Sequence, residues 1–215
     1  MIMLNNTFNK AAMSEAFAAR DEGIGFNPLD DLCLTQDAKP RHLQPINWRK
    51  LTPFQRTLLV IDGTVTKFLE AYMLEPIEVT VLRQEAQPLV ADHAWLEATA
   101  GTSVIMRQVL LQGRYSGVVY TYAVSLLVTD RLPADLLSKL AIEPSGLGRA
   151  LLNSQLENRR EVLWYGYERI VDLPEMIGNL IGMNFLSRTY RIIAHQQPIM
   201  LINEKFPCHN GLEVV

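Results

Sequence analysis

Two pairs of strand-like runs constrain the fold of this chain more than any other feature. Residues 104–112 (VIMRQVLLQ) and 118–128 (VVYTYAVSLLV) are joined across Gly113 to Gly117, and residues 187–195 and 199–207 are joined around Gln196-Gln197-Pro198. Each run is rich in β-branched, aromatic and aliphatic residues, and each connection is short, so both pairs read as antiparallel hairpins. Ile77, Val79 and Val81 alternate with polar residues as an earlier strand, and another strand is expected between Arg160 and Ile170.

Helical signals surround these strands. Thr52-Pro53 reads as a cap and first-turn proline ahead of Phe54, Leu58 and Leu59. Asp62-Gly63-Thr64 breaks that helix and caps a second, in which Val65, Phe68, Leu69 and Tyr72 recur at helical spacing. After Arg131-Leu132-Pro133 a short helix carries Leu136, Leu137 and Leu140, followed by the glycine-containing element Gly146 to Leu152 and a helical stretch near Pro174 to Leu180. This order predicts an α+β fold rather than alternating βα units. Residues 1–45 read as a peripheral, partly irregular arm with a short helix around Ala11 to Arg20, and residues 46–215 as one domain.

The charge balance removes several function classes. Twenty Lys and Arg against 23 Asp and Glu give a net charge of −3, and the basic residues are scattered, which disfavours a nucleic-acid partner. There is no basic and apolar leader pattern and no apolar run of membrane-spanning length, so a soluble, cytoplasmic protein is expected. Cys33 and Cys208 read as reduced thiols, with a bridge between them as the alternative. His42, His93, His195 and His209 have no metal-ligand spacing: His42 and His209 read as exposed turn residues, and His195 as the end of a strand. No Walker motif or dinucleotide loop is present.

Two charges fall on apolar faces. Alternation places Arg107 with Ile105, Val109 and Leu111, and Glu204 with Met200, Ile202 and Phe206. A guanidinium among aliphatic residues needs an anionic partner or a route to water, because it keeps its proton. A bound carboxylate answers that need; so does a salt bridge to Glu97, Glu161 or Glu204, or a side chain that snorkels outward. Glu204 can accept from a ligand hydroxyl, donate as an acid, or pair with an arginine. Arg188, which shares a face with Tyr190, Ile192 and Ala194, reads as an ion-pair partner or a brace for the site. Arg159-Arg160-Glu161 can offer further contacts to the site, but a solvated edge with an internal ion pair is the favoured reading. An apolar pocket with few convergent polar groups is the usual form of a small-molecule site.

Residues 48–208 resemble the chorismate pyruvate-lyase family, especially its cyanobacterial and plastid branch. The resemblance is carried by LTPFQRTLLVIDGTVTKFLEAY, IMRQVLLQGRYSGVVYTYAVSLL, RLPADLL, GLGRALL, NSQLENRREVLWYG, SRTYRI and QPIMLINEKFP, in that order. It implies a single-domain antiparallel sheet with flanking helices, two of which act as flaps over an internal ligand site. By resemblance, Arg107 grips a ring carboxylate, Glu204 contacts a ring hydroxyl, and backbone amides at Val65 and at Leu147 to Gly148 face the ligand. The implied reaction converts chorismate to 4-hydroxybenzoate and pyruvate without a cofactor, supplying a quinone head group as in plastoquinone or ubiquinone-like synthesis. The alternative is a non-catalytic sensor of an aromatic or cyclic carboxylate, since the lyase fold resembles effector domains of bacterial transcription regulators. None of these features sets an oligomeric state.

Overall fold

The computed structural model describes residues 27, 32–142, 147–154, 156–170 and 173–208. The chain enters through helix α1 (Pro53–Val60), which begins with a capping box: the Gln55 amide donates to the Thr52 hydroxyl at 3.2 Å and the Thr52 amide donates to the Gln55 side chain at 3.0 Å. Helix α2 (Val65–Met73) follows, ended by Leu74 in the left-handed region at φ 55°. Thr64 occupies the cap position of α2, yet its side chain makes no capping hydrogen bond.

Six strands form one sheet: β1 (Ile77–Pro88), β2 (Ser103–Gly113), β3 (Val119–Val128), β4 (Arg159–Arg169), β5 (Asn184–Ala194) and β6 (Gln197–Pro207). Helices α3 (Ala134–Ile142) and α4 (Leu147–Asn153) lie between β3 and β4 in the chain. The strand order is β1-β2-β3-β6-β5-β4, and every neighbouring pair is antiparallel. The same succession, two helices and a three-stranded meander, therefore occurs twice. The two halves join along their last strands, β3 and β6. This is the α+β antiparallel architecture expected from the order of elements.

Two expectations need correction, while the helical stretch expected near Pro174 to Leu180 is present. The first strand continues well past Val81, to Pro88, through an irregularity between Val81 and Arg83. Its second half is polar and exposed, so backbone pairing to β2 holds it there, which hydrophobic alternation does not report. The last hairpin turns at His195-Gln196 rather than around Gln196-Gln197-Pro198, with φ of 49° and 64° at the two residues. Both central residues of such a two-residue turn need positive φ, which histidine tolerates better than most side chains. His195 is thus a turn residue, and Gln197-Pro198 opens β6. The stretch before β5 is a 3-10 helix, Glu175–Leu180.

Both faces of the sheet are covered. On one face, α1 and α2 pack Phe54, Leu58, Leu59 and Leu69 against Leu111, Leu186 and Phe206, and α3 and α4 pack Leu136, Leu140 and Leu151 against Leu127, Ile192 and Met200. On the other, Ile177 and Leu180 cover Leu110, Tyr122 and Phe185. The described part of the amino-terminal arm runs along the outer edge of β4. There the Leu34 amide donates to the Val162 carbonyl, Gln44 and Tyr167 exchange backbone bonds, and Leu43 is buried. Those contacts occupy backbone groups that would otherwise form an open sheet edge. The helix expected around Ala11 to Arg20, and His209, lie outside the described residues.

Cys33 and Cys208 are both half-buried and are not joined in a disulfide. Among the described residues, no helix is long and apolar enough to cross a membrane, and no group of three His, Cys, Asp or Glu side chains is arranged to hold a metal ion.

Candidate functional site

Strand register brings the apolar-face charges together. Arg107 on β2 lies opposite Ser125 on β3, while Glu204 on β6 lies opposite Ala123 on β3 and Arg188 on β5. Side chains alternate with period two, so Arg107, Ser125, Ala123, Glu204 and Arg188 all project to the face covered by the helices. Arg107, Arg188 and Glu204 are 2%, 1% and 7% exposed.

A pocket of about 630 Å³ of empty space, partly open to solvent, lies between that face and the helices. Val79, Val109, Leu111, Ala123, Ile192 and Ile202 form an apolar floor, and Arg107, Ser125, Arg160, Tyr190 and Glu204 supply polar groups. The cover comes from two places: residues 63–66 at the start of α2, and Leu147, Gly148 and Leu151 of α4. Val65, Leu147, Gly148, Arg107 and Glu204, all named from the sequence, therefore line one pocket.

Arg188 has a different position. Its Nε donates to Glu204 Oε2 at 2.8 Å, and its guanidinium also donates to the Ile61 carbonyl at 3.0 Å. It thus ties the β6 carboxylate to the end of α1, below the pocket. The Tyr190 hydroxyl donates to Glu204 Oε1 at 3.2 Å, and burial, reinforced by the Glu204 charge, pushes the Tyr190 phenol above its ordinary pKa. Tyr190 accordingly remains a hydrogen-bond donor at neutral pH.

Of the carboxylates that alternation offered to Arg107, Glu204 is the one that shares its pocket. Glu97 and Glu161 meet Arg191 at 2.9 and 2.8 Å on the opposite face, and Glu204 meets Arg188. Burial draws the Arg107 pKa downward, although a guanidinium still holds its proton at neutral pH. A buried, charged fork at one end of an apolar pocket is suited to a planar carboxylate.

Tyr190 and Arg160 line the pocket, although the sequence favours other readings for both. Tyr190 reads from the sequence as a face neighbour of Arg188, a parity that already points it into the site. For Arg160 the sequence favours a solvated edge over a contact to the site. The ion pair expected there exists, between Arg159 and Glu161 at 2.6 Å, but Arg160 between them projects to the pocket face opposite Ile192. Ser187 turns to the other face, where its hydroxyl accepts from the Asn203 amide at 2.9 Å.

The two covering elements touch where Gly148 meets Thr64. A Cβ at Gly148 would fall 2.7 Å from the Thr64 methyl and 3.1 Å from its Cβ. This close approach accounts for the glycine. Gly148→Ala is expected to lower unfolding stability by about 1–3 kcal/mol through overpacking. Adding Thr64→Ser, which deletes the methyl, should recover most of that loss in chemical denaturation.

The fold has solved counterparts. The effector domain of PhnF from Mycobacterium smegmatis matches with a TM-score of 0.50 at 13% identity, over 70% of this chain and 91% of that domain. A second PhnF structure from the same organism gives a TM-score of 0.51, over 69% of this chain and 65% of that one. At this identity the likeness establishes the fold alone. Sequence relatives are more informative. A chorismate pyruvate-lyase of Mycobacterium tuberculosis is 29% identical over 167 residues, 74% of this chain and 81% of that protein. One of Mycobacterium leprae is 29% identical over 164 residues, 74% of this chain and 76% of its own length. The family model described as "Chorismate pyruvate-lyase Rv2949c-like" matches residues 59–212, a span that contains both covering elements and the strands bearing Arg107 and Glu204. On that match, the chain belongs to the Rv2949c-like chorismate pyruvate-lyase family.

Proposed function

We propose that this protein is a chorismate pyruvate-lyase, converting chorismate to 4-hydroxybenzoate and pyruvate. The observation that carries the reading is the placement of buried Arg107 and Glu204 on one face of the sheet, at the wall of a covered apolar pocket, in a chain of this family. Arg107 holds the ring carboxylate through paired hydrogen bonds, and Glu204 orients the ring hydroxyl. Backbone amides at Val65 and at Leu147 to Gly148 complete the ligand's hydrogen bonding, and Arg188 fixes the Glu204 carboxylate.

In chorismate the carbon bearing the hydroxyl adjoins the carbon bearing the enolpyruvyl ether. The reaction breaks that ether C–O bond and removes hydrogen from the hydroxyl-bearing carbon, and the electron pair left in the ring makes it aromatic. The enolpyruvyl fragment departs with the ether oxygen and gains a proton at its methylene carbon, giving pyruvate. Atoms and electrons balance without an external oxidant or reductant. The protein's contribution is to hold the ring in a reactive conformation, exclude water and stabilise charge on the leaving oxygen. Glu204 also assists proton movement at the hydroxyl-bearing carbon. The resemblance to the cyanobacterial and plastid branch suggests quinone head-group synthesis as the use of the product.

Purified protein incubated with chorismate, followed by chromatography against a protein-free control, is expected to release 4-hydroxybenzoate and pyruvate in equal amounts. Binding of chorismate without release of either product would replace the lyase reading with that of a sensor. Neither binding nor release would remove chorismate as the ligand.

A further inference from the structure

Arg160 lies on the boundary between two compartments. With Tyr190 it lines both the pocket described above and a second space of about 560 Å³ that also borders Asp62 and Arg188. Its Nε is buried and has no hydrogen-bond partner among the described residues. Its ion pair is loose: a terminal nitrogen is 3.8 Å from Asp62, whose side chain is 77% exposed while that of Arg160 is 16% exposed. A guanidinium so far withdrawn from water is weakly compensated by a solvated carboxylate at that distance. Arg188, beside it, is already committed to Glu204 and the Ile61 carbonyl.

Chorismate carries two carboxylates, one on the ring and one on the enolpyruvyl arm. Across the sheet, Arg107 on β2, Glu204 on β6 and Arg160 on β4 follow one another in strand order. In chorismate the hydroxyl lies across the ring from the ring carboxylate, and the enolpyruvyl arm springs from the carbon beside it, so the arm's carboxylate reaches out from the part of the ring that Glu204 holds. We infer that Arg160 binds the enolpyruvyl carboxylate, an assignment that rests on the lyase reading for its substrate. The buried Nε and a terminal nitrogen form the fork that a carboxylate accepts, and Asp62 is the anion it displaces. Arg160 then keeps hold of the negative charge on the departing fragment as the ether bond breaks. The product 4-hydroxybenzoate lacks this carboxylate, so Arg160 favours substrate over product.

The test compares chorismate with 4-hydroxybenzoate on the full chain. Arg160→Gln is expected to raise KM for chorismate about 10- to 100-fold, the loss of one charge-assisted contact, while the dissociation constant for 4-hydroxybenzoate changes by about twofold or less. Arg160→Lys, which keeps the charge without the fork, should fall between Arg160→Gln and the parent protein. Asp62→Asn, which removes the competing anion, should lower KM by about twofold. Equal weakening of both ligands in variants that keep the parent unfolding curve would overturn the assignment, and so would no change in either. If the parent protein fails to turn over chorismate, titration supplies dissociation constants in place of KM. A selective loss for chorismate on Arg160→Gln would then retain Arg160 as an anion site and discard the lyase reading; equal affinities would discard both.

Discussion

Arg107→Ala should weaken binding of both chorismate and 4-hydroxybenzoate by roughly 2 to 5 kcal/mol, the range for removing one partner of a buried, hydrogen-bonded charge pair. Even the lower figure is about a 30-fold rise in dissociation constant, which calorimetric titration resolves readily. The expectation follows from burial: Arg107 is 2% exposed and projects into a pocket with an apolar floor. The ring carboxylate, present in both ligands, loses its paired donors in the variant and stays desolvated. Arg107→Lys restores charge without the planar fork and should recover only part of the affinity. A folded Arg107→Ala protein that binds both ligands as the parent does would remove Arg107 from the site. The contrast with Arg160→Gln is diagnostic, since that variant is expected to affect chorismate alone.

The second large effect is expected from Glu204→Gln, with a fall in kcat of about 100-fold or more and a much smaller change in ligand affinity. Glutamine keeps the size of the side chain and an oxygen able to accept from Arg188 or Tyr190, so the ring hydroxyl still finds a polar neighbour. What disappears is a negative charge and a group able to exchange a proton. Parallel losses in turnover and affinity would instead assign Glu204 to positioning only. Stability provides a control, because the substitution leaves the buried Arg188 without its anion, at an expected cost of about 1–3 kcal/mol. The double variant with Arg188→Met removes both charges and should regain stability without regaining turnover. Rapid denaturant unfolding alongside single-turnover kinetics separates the two effects.

Much of this site was legible because strand parity is local information. Arg107, Arg188 and Glu204 each sit among aliphatic or aromatic residues two positions away, and a period of two assigns their faces without knowledge of the partner strands. Their common location depends on the β3 to β6 pairing, whose partners, such as Ala123 and Glu204, are far apart in the chain. No local pattern encodes that pairing; the family resemblance implied only that Arg107 and Glu204 meet one ligand. A site contact was the less favoured reading for Arg160 for a physical reason: Arg159 and Glu161 do form the solvated pair that their sequence suggests, and a charged residue between two others looks solvated as well. The irregularity between Val162 and Trp164 further obscures the alternation of β4. The end of β1 was missed because backbone pairing, rather than apolar side chains, holds Arg83 to Pro88 in the sheet. Gly148 was legible by resemblance as a ligand contact, whereas its tight approach to Thr64 required coordinates.

The join between the two meanders has a mechanical consequence. Arg107 belongs to the first half of the chain, while Arg160, Tyr190 and Glu204 belong to the second, and the β3 to β6 ladder is where the sheets of the two halves meet. A ligand held at both ends acts as a rivet across that seam. Because such a ligand needs both halves in place, a concentration 100 times its dissociation constant would stabilise the folded chain by about 2.7 kcal/mol. Occupancy would thus brace the joint that strand pairing between Tyr122–Leu127 and Met200–Lys205 otherwise holds by itself.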